Sequence, residues 1–239
     1  MMRTAFLSLA VLAGLAGCEP LGQGGERPET SREFPQADRP VSGVTANQFS
    51  TEDARDERGE AQEVMDLAGI SNGMTVADIG AGEGYYTIRL AARVGEDGRV
   101  LAQDIDREAL DRLGQRVERE RLDNVSIKLG REDDPQLPAD SFDRIFLVHM
   151  YHEVTEPYAF LWRLWPALAE GGQVIVVDSD RPTDKHGIPP LLLSCEFKAV
   201  GFRLVEFIEK PDLRGYFARF ERAEKRPEPS EIRPCSMRP

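Results

Sequence analysis

The 239-residue sequence predicts an α/β fold, an open and mostly parallel sheet of about seven strands with helices on both faces and an antiparallel hairpin at one edge. Strand-like and helix-like segments alternate five times, and the strand-like runs are almost continuously apolar. That pattern suits a parallel sheet covered on both sides, because such strands have no wet face. The last two strand-like runs, "RLVEFIEK" and "GYFARFER", are separated only by "PDLR". Four residues cannot make a right-handed crossover, so these two strands must pair antiparallel.

Taken in order, residues 51–67 read as a helix, with Val64, Leu67 and Ala68 apolar and Gly69 or Gly73 closing it. "MTVADI" is the first strand, and "GYYTIRLAARV" the helix after it. "GRVLAQDI" is the second strand; "DREALDRLGQRVERERL" follows as an amphipathic helix with Asp106 as N-cap and Leu110, Leu113 and Val117 on one stripe. "NVSIKLG" and "SFDRIFLVHM" are the third and fourth strands. "EPYAFLWRLWPALAEGG" reads as a helix ended by glycines, "QVIVVD" as the fifth strand and "IPPLLLSCEFKAVGF" as the last helix.

The formal net charge of −12 argues against a nucleic-acid partner, since no long basic run offsets it. The chain opens with Arg3, an apolar run from Ala5 to Ala16, and "LAGC" ending at Cys18. A run of that length is too short for a mature membrane span, and "LAGC" resembles the bacterial lipobox. That resemblance implies a signal peptide at 1–17 and an acylated Cys18 anchoring the protein to a membrane on the periplasmic side; an ordinary signal peptide, or an unused one with a cytoplasmic protein, stays open. Residues 18–48 and 222–239, rich in Gly, Pro and charge, read as a flexible linker and a disordered tail around a domain at 49–221. Cys195 reads as a core thiol and Cys235 as part of the polar tail.

In an open α/β sheet, ligands sit beyond the carboxyl ends of the strands, where the strand order reverses. Those ends read "DIGAGEGYY", "DID", "GREDD", "HMYHEV" and "DSD". In the first, Gly80, Gly82 and Gly84 allow a turn with positive φ whose backbone can approach a ligand closely. A dinucleotide fingerprint would need glycine where Tyr85 stands and would set Glu83 against a pyrophosphate, and no nucleoside-triphosphate loop is present.

From about Asp56 to Glu221 the chain resembles the class I S-adenosylmethionine-dependent methyltransferases, with a Rossmann-like fold. Asp78-Ile79-Gly80-Ala81-Gly82-Glu83-Gly84 matches their first motif, and Asp104, about twenty residues on, matches the acid that binds the ribose hydroxyls. The resemblance implies S-adenosylmethionine as cofactor, held by Asp78, Gly80, Ala81, Gly82, Gly84, Asp104, Ile105, Asp133 and His149. The usual Gly-Asp pair after the third strand is Gly130-Arg131 here, with the acids displaced to Glu132, Asp133 and Asp134; Asp133 is the choice for the adenine contact.

Tyr151, His152 and Glu153, after the fourth strand, are the candidate catalytic residues, with His152 as base; a capping turn around a satisfied histidine is the alternative. His149 and His152 are expected to project to opposite faces, and no metal site is expected, because HExxH would need histidine at Glu156. Tyr85, Tyr86 and Trp162 either wall an acceptor pocket or belong to the core. Two functions compete: methyl transfer to a small or surface-presented acceptor, and ligand binding without turnover by a membrane-tethered module on the same fold.

Overall fold

The computed structural model describes residues 27–43 and 51–236; the expected signal peptide and Cys18 lie outside them. Seven strands form one sheet in the order β3-β2-β1-β4-β5-β7-β6, with β1 Thr75–Ile79, β2 Arg99–Asp104, β3 Val125–Leu129, β4 Phe142–Val148, β5 Leu168–Asp178, β6 Phe202–Lys210 and β7 Gly215–Arg222. The first five are parallel, and β7 runs antiparallel to both β5 and β6, as the four-residue connection requires.

Side chains alternate across the sheet. Ala77, Ile79, Ile145, Leu147, Val174 and Val176 pack on one face under helices α5 (Pro157–Leu164) and α6 (Pro190–Ala199). Val76, Phe146, Ile175 and Val177 pack on the other face, against α2 (Glu60–Leu67) and α3 (Tyr85–Val94). Leu110 and Leu113 of α4 (Arg107–Glu120) close a smaller cluster over Ala81 and Ala102. Each large side chain so buried contributes roughly 1.5–3 kcal/mol. Asp106 caps α4 as expected, accepting hydrogen bonds from the N–H groups of Glu108 and Ala109.

Several boundaries differ from the sequence reading. The single helix expected over 51–67 is two, α1 (Glu52–Glu57) and α2, broken at Gly59 with φ +65°. α5 stops well before the glycines, because Pro166 forces the chain out of the α-helix into a short 3-10 turn at Trp165–Ala167. Gly171 and Gly172 lie inside β5, in the segment where its register with β4 shifts.

The expectation of a flexible linker and a disordered tail does not hold for their described parts. Ser31 and Phe34 are buried, Arg27 pairs with Glu156, and the Arg39 guanidinium makes a buried ion pair with Glu196 at 2.8 Å. At the other end Ile232 is buried, and Trp162 Nε1 donates to the Pro227 carbonyl. Cys235, assigned by sequence to the polar tail, forms a disulfide with Cys195. Asp38 and Ser236 pair in an isolated parallel bridge, so the two end segments meet. Among the described residues, no helix is long and apolar enough to cross a membrane.

Candidate active site

A cavity of about 620 Å³ opens at the carboxyl ends of β1, β2, β4 and β5, at the point where the strand order reverses between β1 and β4. One wall is the turn after β1. The N–H groups of Gly80 and Ala81 both donate to the Gln103 carbonyl, and that of Gly82 donates to Asp104 Oδ2 at 2.8 Å. Gly82 has φ +54° and nothing within 4 Å of where a Cβ would stand, so its backbone faces open space. Gly84, with φ +91°, does not line the cavity; a Cβ there would collide with Leu113, so its constraint is the packing of α3 on α4. Asp104 also accepts from the Asp106 N–H, and each oxygen keeps capacity for a further donor. Beside it, Ile105 is 42% exposed.

Asp78, expected among the cofactor contacts, lies beneath the turn and not in its wall. Its carboxylate accepts from the Thr87 hydroxyl at 2.6 Å, tying β1 to α3. Burial pushes its pKa up to about 6 against that hydrogen bond. Asp133 is also placed differently. It borders an adjoining depression of about 530 Å³, but its Oδ2 already accepts from Thr30, Ser31 and Arg163. Burial opposes its charge; those hydrogen bonds outweigh burial and hold its pKa below the usual carboxylate range. The acid of this loop that reaches the main cavity is Glu132.

The opposite wall carries all three histidines of the chain, which contradicts the expectation that His149 and His152 diverge. β4 ends at Val148, and His149 takes a left-handed φ of +54° while its N–H donates to the Val177 carbonyl. The chain then enters a 3-10 turn at Tyr151–Glu153, which swings His152 and Glu153 to the same cavity. Nδ1 of His152 lies 3.0 Å from both oxygens of the fully buried Asp178 at the end of β5. Tyr151, the third candidate catalytic residue, is corrected: its ring is buried in the core and its hydroxyl donates to Glu196 Oε2 at 2.8 Å. Burial raises its pKa far above the ordinary phenol range.

Charged groups from α1 and α2 roof the cavity. Glu60 accepts from Arg55, and its Oε1 lies 3.6 Å from His149 Nε2. Burial favours the neutral acid, yet the nearby His149 ring and the hydrogen bonds from Arg55 overcome it and hold Glu60 at about 2. Arg55 stacks 3.7 Å over the Tyr85 ring. Of the three aromatic candidates only Tyr85 lines the cavity; Tyr86 is in the core and Trp162 packs against Phe34 and Arg226. Sequence reasoning missed His186 and gave Asp178 no role; the signal available was that "DSD" ends a strand and that the chain has so few histidines.

Fold and cavity together define a class. Residues 70–207 match a family model described as methyltransferase domain, and the chain belongs to that family. Ubiquinone/menaquinone biosynthesis C-methyltransferases UbiE from Idiomarina loihiensis and Escherichia fergusonii are 30% and 29% identical over 120 and 119 residues. Each alignment takes in 49% of this chain and 47% of the relative, so the chain spans about half the length of these curated relatives. A solved SAM dependent methyltransferase from Aquifex aeolicus superposes with TM-score 0.63 at 26% identity, covering 70% of this chain and 90% of that one. The [4+2]-cyclase SpnF superposes with TM-score 0.62 at 13% identity, covering 81% and 90%, a likeness of fold alone. S-adenosylmethionine is the cofactor that this kinship implies, and the open backbone at Gly82 beside the Asp104 carboxylate fits it.

Proposed function

We propose that the protein transfers a methyl group from S-adenosylmethionine to a small or surface-presented acceptor bound on the histidine side of the cavity. The observation that carries this reading is that one cavity joins the Gly80–Asp104 turn to the buried His152 and Asp178 pair. Asp104 would take the ribose hydroxyls, Ile105 would cover the base, and Arg55 and Glu60 would meet the amino-acid end. When bound, the cofactor supplies an electrophilic methyl on a sulfonium.

Asp178 holds Nδ1 of His152 as its proton donor, which leaves Nε2 as the atom that accepts a proton from the acceptor. Glu153 stands beside it, with Oε1 3.9 Å from that nitrogen, to orient the acceptor. Most of the rate then comes from alignment and exclusion of water, because an in-line displacement needs little covalent help from the protein.

The reading extends to location. Export and anchoring through Cys18 are supported by the disulfide between Cys195 and Cys235, since disulfides persist in oxidising compartments and are rare in the cytosol. Isothermal titration of the purified protein with S-adenosylmethionine tests the core of the proposal. Saturable binding that Gly82→Val abolishes is expected, and no binding by the folded protein would overturn it. For the anchor, a membrane-bound native form and a soluble Cys18→Ala form are expected on fractionation.

A further inference from the structure

His152, Glu153 and His186 present ligand atoms that all lie within 4.8 Å of one another at the cavity wall. Glu153 Oε1 is 3.9 Å from His152 Nε2 and 4.0 Å from His186 Nδ1. A tetrahedral ion with bonds of about 2.0–2.1 Å holds its ligands about 3.3 Å apart, so small side-chain rotations would close the set. Two further features match a metal centre. The Asp178 carboxylate on Nδ1 of His152 fixes the tautomer that offers Nε2, as outer carboxylates do for metal-bound histidines. One stretch of chain also steadies both loops: Arg39 donates to the carbonyls of His152 and Val154, and Ser42 Oγ accepts from the His186 N–H while donating to the Thr183 carbonyl. Ligands held by their own supports lose little freedom on binding.

We propose that His152 Nε2, Glu153 and His186 Nδ1 bind one divalent ion of the zinc and iron class, with its remaining positions open to the cavity for an oxygen of the methyl acceptor. Two nitrogens and one carboxylate suit borderline transition metals and not calcium or magnesium, which prefer oxygen cages. The sequence shows no such site, because His186 stands 34 positions from His152 and no short motif joins them. The inference rests on the methyl-transfer reading and deepens it. An ion at this place would make a bound hydroxyl more acidic, so that its proton passes to water in the open cavity as the oxygen takes the methyl group, in place of direct proton uptake at Nε2 of His152.

The test is a titration of the chelator-stripped, tag-free full chain with Co(II), followed by its visible d–d absorption and by displacement with Zn(II). One tetrahedral or five-coordinate site of micromolar or tighter affinity is expected. His186→Ala, His186→Gln and Glu153→Gln should each weaken it at least about tenfold, and Asp178→Asn by about 10–100-fold. S-adenosylmethionine affinity should stay within about twofold in the His186 variants, which separates this proposal from the cofactor reading and shows that they fold. Absence of a saturable Co(II) spectrum, or a spectrum unchanged by both His186 variants, would overturn the metal site while leaving direct proton uptake by His152 intact.

Discussion

Around Gly80–Gly84 and Asp104 the cavity wall is main chain, folded by contacts within about 25 residues, with the Gln103 carbonyl and the Asp104 carboxylate taking three successive N–H groups. Around His152, Glu153 and His186 the wall is side chains, on loops pinned from far away by Arg39, Ser42 and Glu196. The first wall depends on which backbone conformations glycine permits. The second depends on buried polar partners that are expensive to leave unmatched. The same cavity therefore answers mutation in two ways.

The largest effect is expected at Arg39, which does not line the cavity and touches the histidine loop only through the carbonyls of His152 and Val154. Arg39→Ala leaves Glu196 buried without its cation and should cost about 3–5 kcal/mol in denaturant unfolding. Next, Cys235→Ser opens a link across 40 residues of chain and should cost about 3–4 kcal/mol. If either variant unfolds like the native protein, the histidine wall does not depend on distant segments and the contrast fails.

Asp78→Asn tests the glycine wall through pH. The folded pKa of Asp78, about 6, lies above its ordinary 3.8, so the folded state holds the proton longer than the unfolded one. The stability tied to that proton is complete below about pH 4 and is lost as pH rises through 6. Asn cannot titrate, so unfolding measured from pH 4 to 7 should lose a fall of up to about 3 kcal/mol. Glu60, held at about 2, has the opposite sign; its contribution is present above about pH 4.5 and disappears as pH falls toward 2.

Two smaller effects separate binding from folding. Asp104→Asn should weaken S-adenosylmethionine binding by roughly 10–100-fold in calorimetry, in line with losing a charged hydrogen-bond partner. Gly82→Ala should cost only about 1–2 kcal/mol of stability, since its φ is left-handed but no atom crowds the site.

The sequence showed the first wall because its determinants are near neighbours. The alternation of strand and helix, the turn glycines, Asp104 and the Asp106 cap are each written within a short window; Gly80, Gly82 and Asp104 line the cavity and Asp106 caps its helix, while Gly84 serves the packing of α3 on α4. The second wall was partly hidden. "YHE" looked like one catalytic cluster, but a 3-10 turn sends Tyr151 into the core while His152 and Glu153 face the cavity. Asp178 meets His152 because β5 lies beside β4, and His186 arrives from a loop beyond β5; neither distance can be read without the strand order. Asp133 was chosen on the family pattern, yet Thr30 and Ser31, from a segment read as linker, claim its carboxylate. Low hydrophobicity concealed how few anchoring residues, chiefly Phe34, Arg39, Ile232 and Cys235, suffice to dock both ends.

The bond between Cys195 and Cys235 also makes part of the molecule a closed covalent ring, with β6 and β7 threaded along it. A protease that cut the exposed turn at Asp212 would break the polypeptide without releasing a fragment. The two pieces would migrate as one under non-reducing conditions and separate only after a thiol was added, which makes limited proteolysis a direct reporter of whether the ring is closed in the cell.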